Sequence, residues 1–512
     1  MYWKRFDFYI MICYIMVCQE QFHPSFESLR TYECPAWFRD AKLGFWSHWG
    51  PQSVPMAGDW YARNMYIEGS PQYLYHLRHY GHPSRFGYKD LVKLWKAEKF
   101  EPDALMDKYY KAGARYFVGQ AMHHDHFFNY PSKLNRFNSA QVGPMKDIIG
   151  LWKKAADNFR LPFGFTEHLG ATFSWWSVNK AADKYGPYAG VPYDGNDPEY
   201  RDFYLDNFEH YTKDDDMRQV MDWYTANPMY HKYWLEVMKE LIDLYTPDFL
   251  YTDGGLPFAW KRGGFFEYDV PPTDPAYKYG LEAVSYLYNK SITQYGENRA
   301  VYSQKDRRPE IYEVGVLDIE KSQLPGISPR PWQTDTCIGN WFYDARQQFK
   351  RPSHIIEMLV DIISKNGTML LNILQLPDGS IDDETKYILD ELASWIAVAG
   401  EGVYGTRPWR VSGEGYSSVI IEVFKEEAVK WTETDFRFTV KGHKVYAFMM
   451  KAPESGTVVI RSFKAEEKIL SVELLGSGPV PFNWNYGVLA VKLPEKLPTN
   501  YTNCLAVELG DK

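Results

Sequence analysis

The sequence predicts an α/β protein in which a (β/α)8 TIM-like barrel is followed by a C-terminal β-sandwich. Short apolar or aromatic runs alternate with helical patterns from about residue 40 to about residue 400, as βα units around a parallel sheet require. Beyond about residue 405 the helical period gives way to alternating strands. The 512 residues leave room for both parts, because a barrel of this class takes about 250 residues or more.

Seven or eight βα units are expected in the barrel. The helix at 104–112 should end at Gly113, and residues 231–245 carry apolar side chains at helical spacing. Segment 177–230 is rich in Tyr, Asp, Gly and Pro and too long for an ordinary βα loop, so we expect an insertion beside the barrel mouth. The predicted strands span 43–49, 115–121, 162–168, 249–252, 300–304, 316–319 and 368–373.

The second part of the chain begins after a last barrel helix at about 384–398 and the sequence GEGVYGTRPW. Alternating polar and apolar residues then predict the strands of a sandwich. We therefore assign 23–404 to the catalytic barrel and 405–512 to the β-sandwich domain. The clearest sandwich strands are at 444–450, 457–462, 469–475 and 488–493.

Residues 1–22 resemble a secretory signal peptide, with Lys4 and Arg5 followed by a mostly apolar run. We therefore expect a secreted or periplasmic protein. Asp7 is atypical, and no Ala-x-Ala cleavage site follows. A lipoprotein anchor at Cys18 is a weaker alternative, since Val rather than a small residue precedes it.

The composition excludes several classes of protein. Trp, Tyr and Phe make up 17% of the chain, which suits a site that stacks on ligand rings, such as a carbohydrate or nucleobase site. A net charge of −9 argues against nucleic acid as the main partner. No later run is long and apolar enough for stable membrane insertion. The five Cys show neither disulfide nor zinc spacing, and the oligomeric state stays open.

Polar residues close six of the predicted strands at the end where barrels of this class carry their active sites. One such residue alone is usually a cap or a solvated group, so it is the coincidence of six that predicts an active site. The residues are His48, the pair His123 and His124, the pair Glu167 and His168, Asp253, the pair Lys305 and Asp306, and Glu320.

Asp253 and Glu320 provide two carboxyls on nearby strands. Cleavage of a glycosidic bond needs such a pair, one to attack or to activate water and one to donate a proton. The local sequence around Asp253, taken alone, is explained equally well by a helix cap or an Asx turn.

The run from His123 to His126 raises the alternative of a metal site. No Cys or spaced triad supports that reading, and neutral His side chains serve equally well to bind sugar hydroxyls. We expect neither a metal nor another cofactor. Several Trp side chains are candidates for stacking on a sugar face: Trp49, Trp60, Trp175, Trp176 and Trp341.

Taken together, several blocks of sequence resemble the α-L-fucosidases of glycoside hydrolase family 29. In colinear order from Trp37 to Trp409 they read WFRDAKLGFWSHWGPQSVP, GDWYARNMY, ARYFVGQAMHHDHFFNYPSK, NSAQVGPMKDIIG, FLYTDGG, NGTMLLNILQLPDGSI and GEGVYGTRPW. The resemblance implies a retaining, exo-acting α-L-fucosidase. Such an enzyme takes terminal α-L-fucose from fucosylated oligosaccharides or polysaccharides and needs no cofactor.

The resemblance also implies roles for individual residues. Asp253 matches the nucleophile that forms the covalent glycosyl-enzyme intermediate. Glu320 is the best match for the general acid/base by its position after the nucleophile, ahead of Glu267, Glu282, Glu310 and Glu313. Phe45, Trp46, Trp341 and Phe342 are candidates for an apolar niche around the fucose methyl group. The substrate-binding residues implied are His48, Asp59, Trp60, His123, His124, His168, Lys305 and Trp341.

Four positions depart from the family pattern. Asp59 stands where many relatives carry Glu, Lys305 stands in place of an Arg, and Glu167 or His168 in place of a Tyr. His126 ends an HHDH run where the family has HHDG. Lys presents a point charge where Arg presents a fork of donors. The departures leave fine specificity open, so a related α-L-galactosidase is one alternative. A carbohydrate-binding protein without catalysis is another, which the presence of both carboxyls disfavours.

Overall fold

The computed structural model describes residues 21–208, 223–259, 270–422 and 424–510, so the predicted signal segment lies outside it except for its last two residues. Within this part, eight parallel strands form a closed barrel and two antiparallel sheets follow. The predicted fold class is confirmed. The barrel strands are β1 Leu43–Ser47, β2 Tyr116–Met122, β3 Phe163–Glu167, β4 Phe249–Thr252, β5 Val301–Gln304, β6 Val316–Asp318, β7 Trp332–Cys337 and β8 Gly367–Asn372.

Each barrel strand pairs with the next, and β8 pairs with β1, with Gly44 opposite Leu370. All eight strands are buried along their whole length, which explains why seven of them read as apolar runs. Their carboxyl ends share one rim of the barrel, and the segments that follow them build the site described below.

The sequence analysis did not predict strand β7. Its residues read Trp-Gln-Thr-Asp-Thr-Cys, and all six are buried. The polar side chains bond to other polar side chains inside the barrel: Tyr116 donates to Gln333 Oε1 at 2.9 Å, and Gln333 Nε2 donates to Asp318 at 2.9 Å. A strand with a polar interior lacks the hydrophobic pattern on which the prediction depended.

Helices cover the outside of the barrel. The predicted helix at 104–112 spans Pro102–Lys111, and Gly113 follows with a φ of 110°. The longer helices are Pro71–His79, Pro102–Lys111, Ile148–Asn158, Pro228–Tyr245, Lys278–Tyr295, Pro352–Ser364 and Asp383–Ala399. The shorter α-helices are Phe26–Leu29, Ala36–Ala41, Tyr61–Asn64, Tyr88–Leu91, Leu169–Trp175, Arg201–Tyr204 and Pro309–Tyr312. No described helix is both long and apolar enough to cross a bilayer.

The C-terminal sheets share a core of their own, which includes Trp409, Phe438, Val445, Leu489 and Leu505. The strands are β9 Arg407–Glu414, β10 Phe436–Lys441, β11 Lys444–Met449, β12 Thr457–Ile460, β13 Ile469–Leu474, β14 Gly478–Pro479, β15 Phe482–Asn485, β16 Val488–Lys492 and β17 Asn503–Leu509. One sheet has the order β14-β13-β17-β11-β10-β9 and the other the order β12-β16-β15.

A buried ion-pair cluster joins the barrel to the sandwich. Asp361 on the helix Pro352–Ser364 accepts from Arg437 of β10 and, at 2.7 Å, from Lys365 Nζ. All three side chains are nearly inaccessible to solvent. The two parts are therefore connected by charge as well as by apolar packing.

Candidate active site

A cavity of about 220 Å³ opens at the carboxyl ends of the barrel strands. All ten side chains that the sequence analysis selected for catalysis or binding line this cavity. They are His48, Asp59, Trp60, His123, His124, His168, Asp253, Lys305, Glu320 and Trp341.

Half of these residues follow a strand directly, as the barrel geometry requires. His48 comes after β1, Asp253 after β4 and Lys305 after β5. After Asp253 the chain turns through Gly254, whose φ is 111°. A Cβ atom at Gly254 would lie 2.6 Å from the hydroxyl of Tyr224, so only glycine fits the turn that presents Asp253 to the cavity.

Lys305 joins the two candidate catalytic carboxyls. Its Nζ donates to Asp253 Oδ1 at 2.8 Å and also contacts Glu320 Oε2. Glu320 Oε1 accepts from Trp341 Nε1 at 3.1 Å. Because Asp253 Oδ1 and Glu320 Oε2 contact the same nitrogen, these two oxygens can be no more than about 5.5 Å apart, which is less than the roughly 6.5–9.5 Å between the carboxyls of an inverting glycosidase.

Asp253 is surrounded by groups that favour its ionised form. Tyr251 donates to Oδ1 at 3.1 Å, and His124 Nε2 lies 3.2 Å from Oδ2. Burial raises the pKa of Asp253, but the positive charge of Lys305 and the hydrogen bond from His124 outweigh burial and hold that pKa well below its usual range. Asp253 is therefore a carboxylate at neutral pH, as a nucleophile must be.

Three histidines in the cavity are neutral. Burial lowers the pKa values of His48 and His123 well below the usual value and lowers that of His168 to about 3. Gln52 Nε2 donates to His123 Nδ1 at 2.8 Å, while Gln52 Oε1 accepts from the backbone of Ala62. The proton of His123 is thus on Nε2. Both ring nitrogens of His48 are buried and have no partner among the described residues.

One ring nitrogen each from His48, His123 and His168 lies within 4.8 Å of the others, so this trio rather than the His123–His126 run has metal-ligand spacing. The last two residues of the run have partners away from the cavity. Asp125 accepts from Tyr88, and His126 bonds to Phe203 O and to Tyr233. Those two side chains hold loops together and do not line the cavity.

The structure separates other candidates. His168 lines the cavity, whereas Glu167 points to the helices and accepts from Trp234 Nε1 at 3.0 Å. Phe45 packs on the helix side of its strand against Tyr109, so it is wrong as part of a methyl niche. The stacking assignment is also wrong for Trp49, Trp175 and Trp176, which are buried; Trp60 and Trp341 are the two of the five that line the cavity.

Five lining residues were absent from the predicted set of site residues: Trp46, Trp223, Tyr251, Asp335 and Phe424. Trp46 had been named only as a candidate for the methyl niche. Tyr251 lies on β4 two positions before Asp253, which follows that strand directly, and the two-residue period of a strand signals the shared face. Asp335 lies on the unpredicted strand β7, and no local signal connects Phe424, which precedes β10, with the barrel.

Comparison with known proteins gives one consistent family. The family model described as Alpha-L-fucosidase matches residues 10–401, and that of the α-L-fucosidase C-terminal domain matches residues 430–508. Human tissue α-L-fucosidase is 26% identical over 86% of this chain and 81% of its own. Human plasma α-L-fucosidase is 26% identical over 93% of this chain and 89% of its own.

Solved structures show the same fold. The crystal structure of Thermotoga maritima α-fucosidase in complex with fucose superposes with a TM-score of 0.71 at 24% identity, covering 95% of this chain and all of that one. A Bacteroides thetaiotaomicron α-L-fucosidase trapped as a covalent intermediate gives a TM-score of 0.63 at 16% identity, covering 96% of this chain and 98% of that one.

Proposed function

Because the chain belongs to the α-L-fucosidase family of glycoside hydrolases, we propose that it is a retaining, exo-acting enzyme that removes terminal α-L-fucose from fucosylated glycans. The observation that carries this proposal is the short separation of Asp253 and Glu320 across Lys305. An inverting enzyme holds its carboxyls roughly 6.5–9.5 Å apart to admit a water molecule between them.

In the proposed first step a carboxylate oxygen of Asp253 attacks the anomeric carbon of fucose. The bond to the leaving oxygen breaks, and Glu320 donates a proton to that oxygen. In the structure one oxygen of Glu320 contacts Lys305 and the other accepts a hydrogen bond from Trp341.

In the second step Glu320 acts as the base. It takes a proton from a water molecule, whose oxygen attacks the anomeric carbon and releases Asp253 as a carboxylate. The two displacements together retain the anomeric configuration. Lys305 contacts both side chains and offsets the negative charge that moves between them.

The proposed sugar contacts come from neutral groups. His48, His123 and His168 have pKa values lowered by burial and are neutral. His48 can present one donor and one acceptor to sugar hydroxyls, whereas His123, whose Nδ1 accepts from Gln52, presents only its Nε2 donor. Trp60 has a φ of 59°, a left-handed conformation that costs free energy in a bulky residue, and this conformation places its side chain in the cavity.

The proposal is tested with Asp253→Ala and an aryl α-L-fucoside. We expect hydrolysis to be abolished and azide to restore turnover, with β-L-fucosyl azide as the product, because the small anion occupies the space of the missing carboxylate. Glu310→Ala is the matched control, since Glu310 is an exposed carboxyl that does not line the cavity. Normal turnover by Asp253→Ala would refute the proposed nucleophile.

We also propose export, on the basis of the signal-like sequence in residues 1–22. Expression of the full chain in an exporting host, followed by N-terminal sequencing of the mature protein, tests it. Removal of the first 18 to 22 residues is the expected result, and an intact N-terminus on intracellular protein would contradict it.

A further inference from the structure

Residues 415–422 and 424–435, here called the return segment, belong to the connection between two strands of the sandwich. They connect β9 with β10, which are paired antiparallel neighbours, with Glu414 opposite Phe436. Neighbouring antiparallel strands need a loop of only about two to five residues. A connection of this length between paired strands is typical of a functional loop.

The return segment is closed at its base and attached to the barrel. Asp435 accepts from the backbone of Ser417 at 3.0 Å and from that of Thr432 at 2.6 Å, which joins the two ends. Trp431 Nε1 donates to Glu357 on a barrel helix at 3.0 Å. These bonds fix the start and the end of the segment.

The middle of the return segment is held by Glu426. Its side chain is 9% exposed, and Oε2 accepts from Lys350 Nζ and from Thr336 Oγ1, each at 2.9 Å. Thr336 belongs to β7 and directly follows Asp335, which lines the catalytic cavity. A nearly buried ion pair thus fastens the segment to the strand beside the active site.

Phe424 lies two residues before this anchor and lines the same cavity as Asp253 and Glu320. Its φ of 60° is left-handed, a conformation that is unfavourable for a bulky side chain. The ring is 47% exposed although it is aromatic. Backbone strain at a residue that borders a catalytic cavity points to a role in binding.

The return segment lies on the Glu320 side of the cavity. Ser322 and Gln323, which follow Glu320 closely in the chain, line a second cavity together with Val419 and Glu426 of the segment. In the proposed reaction Glu320 donates its proton to the leaving oxygen. The leaving group must therefore occupy the side on which the return segment packs.

We infer that Phe424 is a specificity-determining residue that binds the leaving group: its ring packs against the apolar face of the sugar to which fucose is attached. The inference rests on the proposed fucosidase function and deepens it, because it assigns the leaving-group side of the site to the C-terminal part of the chain. The substrate class is a disaccharide or longer glycan with a pyranose next to the fucose.

The test compares two substrates that share the fucosyl group. α-L-Fucosyl fluoride has no leaving sugar, whereas a panel of fucosyl disaccharides with different linkages places one beside Phe424. For Phe424→Ala we expect kcat/KM on the cleaved disaccharides to fall roughly threefold to tenfold, with fluoride turnover within about twofold of the unsubstituted enzyme. Phe424→Trp keeps an aromatic face and should retain disaccharide cleavage.

Ile421→Ala is the matched control, because Ile421 is 41% exposed on the same segment and lines neither cavity. Equal losses on both substrates in Phe424→Ala, or no loss on either, would overturn the inference. So would fluoride turnover by the unsubstituted enzyme without cleavage of any disaccharide. Failure of that enzyme to hydrolyse the fluoride at all would instead refute the proposed function itself.

Discussion

Lys305 Nζ lies 2.8 Å from Asp253 Oδ1, and the same ammonium group contacts Glu320. One cation therefore serves both carboxyls of the proposed reaction. Two carboxylates this close would otherwise raise each other's pKa, since each disfavours a second negative charge nearby. The single ammonium nitrogen of Lys305 contacts an oxygen of each carboxyl, whereas an Arg guanidinium would contact the two carboxyls through separate N–H donors.

Replacing Lys305 should move the acid limb of the pH profile. Lys305 is the largest influence that lowers the pKa of Asp253, so Lys305→Met should raise that pKa. Asp253 reacts only when ionised, and the acid limb of kcat/KM should therefore shift to higher pH. At neutral pH we expect a loss of about a hundredfold on an aryl α-L-fucoside. Lys305→Arg keeps the positive charge, so its acid limb should shift less than that of Lys305→Met. An unchanged acid limb in Lys305→Met would contradict the role of Lys305 in lowering the pKa of Asp253.

The activity lost on removing Glu320 should be larger for a leaving group that needs a proton than for one that does not. General acid catalysis contributes about 10² to 10⁴ in rate. On a fucosyl disaccharide, Glu320→Ala should lose activity in that range. On α-L-fucosyl fluoride, the rate at which the intermediate forms should fall far less. Glu313→Ala is the control, because Glu313 lies outside the cavity. Equal losses on both substrates in single-turnover kinetics would assign the acid to another residue.

The sequence predicts those parts of the fold and site that short stretches of chain specify. Asp253 follows an apolar run and precedes two glycines, so its position at a strand end can be read locally. Strand β7 could not be found in this way, since Gln333 and Asp335 are buried by bonding to polar partners that lie far away in sequence. Phe424 reaches the cavity through the anchor of Glu426 on Lys350 and Thr336, a tertiary contact with no local pattern.

Glu167 should make the stability of the protein depend on pH. Burial raises the pKa of this side chain from 4.5 to about 7. The folded state therefore binds the proton more tightly than the unfolded chain does. The stabilisation is complete below about pH 4.5 and is lost as pH rises through about 7, on the order of 3 kcal/mol.

The matched variant is Glu167→Gln, which stays neutral and can still accept from Trp234 and from the backbone of Gly170. Thermal unfolding of both proteins between pH 4 and pH 8 is the measurement. The variant should gain stability relative to the unsubstituted protein as pH rises through this window. A constant difference would show that Glu167 ionises normally in the folded state.

Chelation should leave hydrolysis unchanged, although His48, His123 and His168 have metal-ligand spacing. The proposed chemistry uses two carboxyls, and the three imidazoles are needed for sugar hydroxyls. Dialysis against EDTA should not alter kcat/KM, and added zinc should inhibit, because it would occupy the sugar position. Loss of activity on chelation, with recovery on adding zinc, would contradict this role for the histidines.

The ion-pair cluster of Asp361, Lys365 and Arg437 should be sensitive to the loss of a single member. Asp361 is fully buried, and Arg437 is 7% exposed. Asp361→Ala leaves both cations buried without their carboxylate, which should reduce the free energy of unfolding by about 3–5 kcal/mol. Arg437→Met in the Asp361→Ala background should restore part of that loss, since it removes one uncompensated charge. Urea unfolding followed by tryptophan fluorescence measures all the variants.

The exposed pair of Arg136 and Asp202 is the control for this experiment. Its two side chains are each 53% exposed and its Nε–Oδ2 distance is 2.6 Å, so its geometry is as good as that of the buried cluster. Because water solvates both partners, Asp202→Ala should cost less than about 1 kcal/mol. If Asp361→Ala lowered the free energy of unfolding by no more than Asp202→Ala does, the buried cluster would not stabilise the contact between barrel and sandwich. The same would follow if the losses from Asp361→Ala and Arg437→Met were simply additive in the double variant.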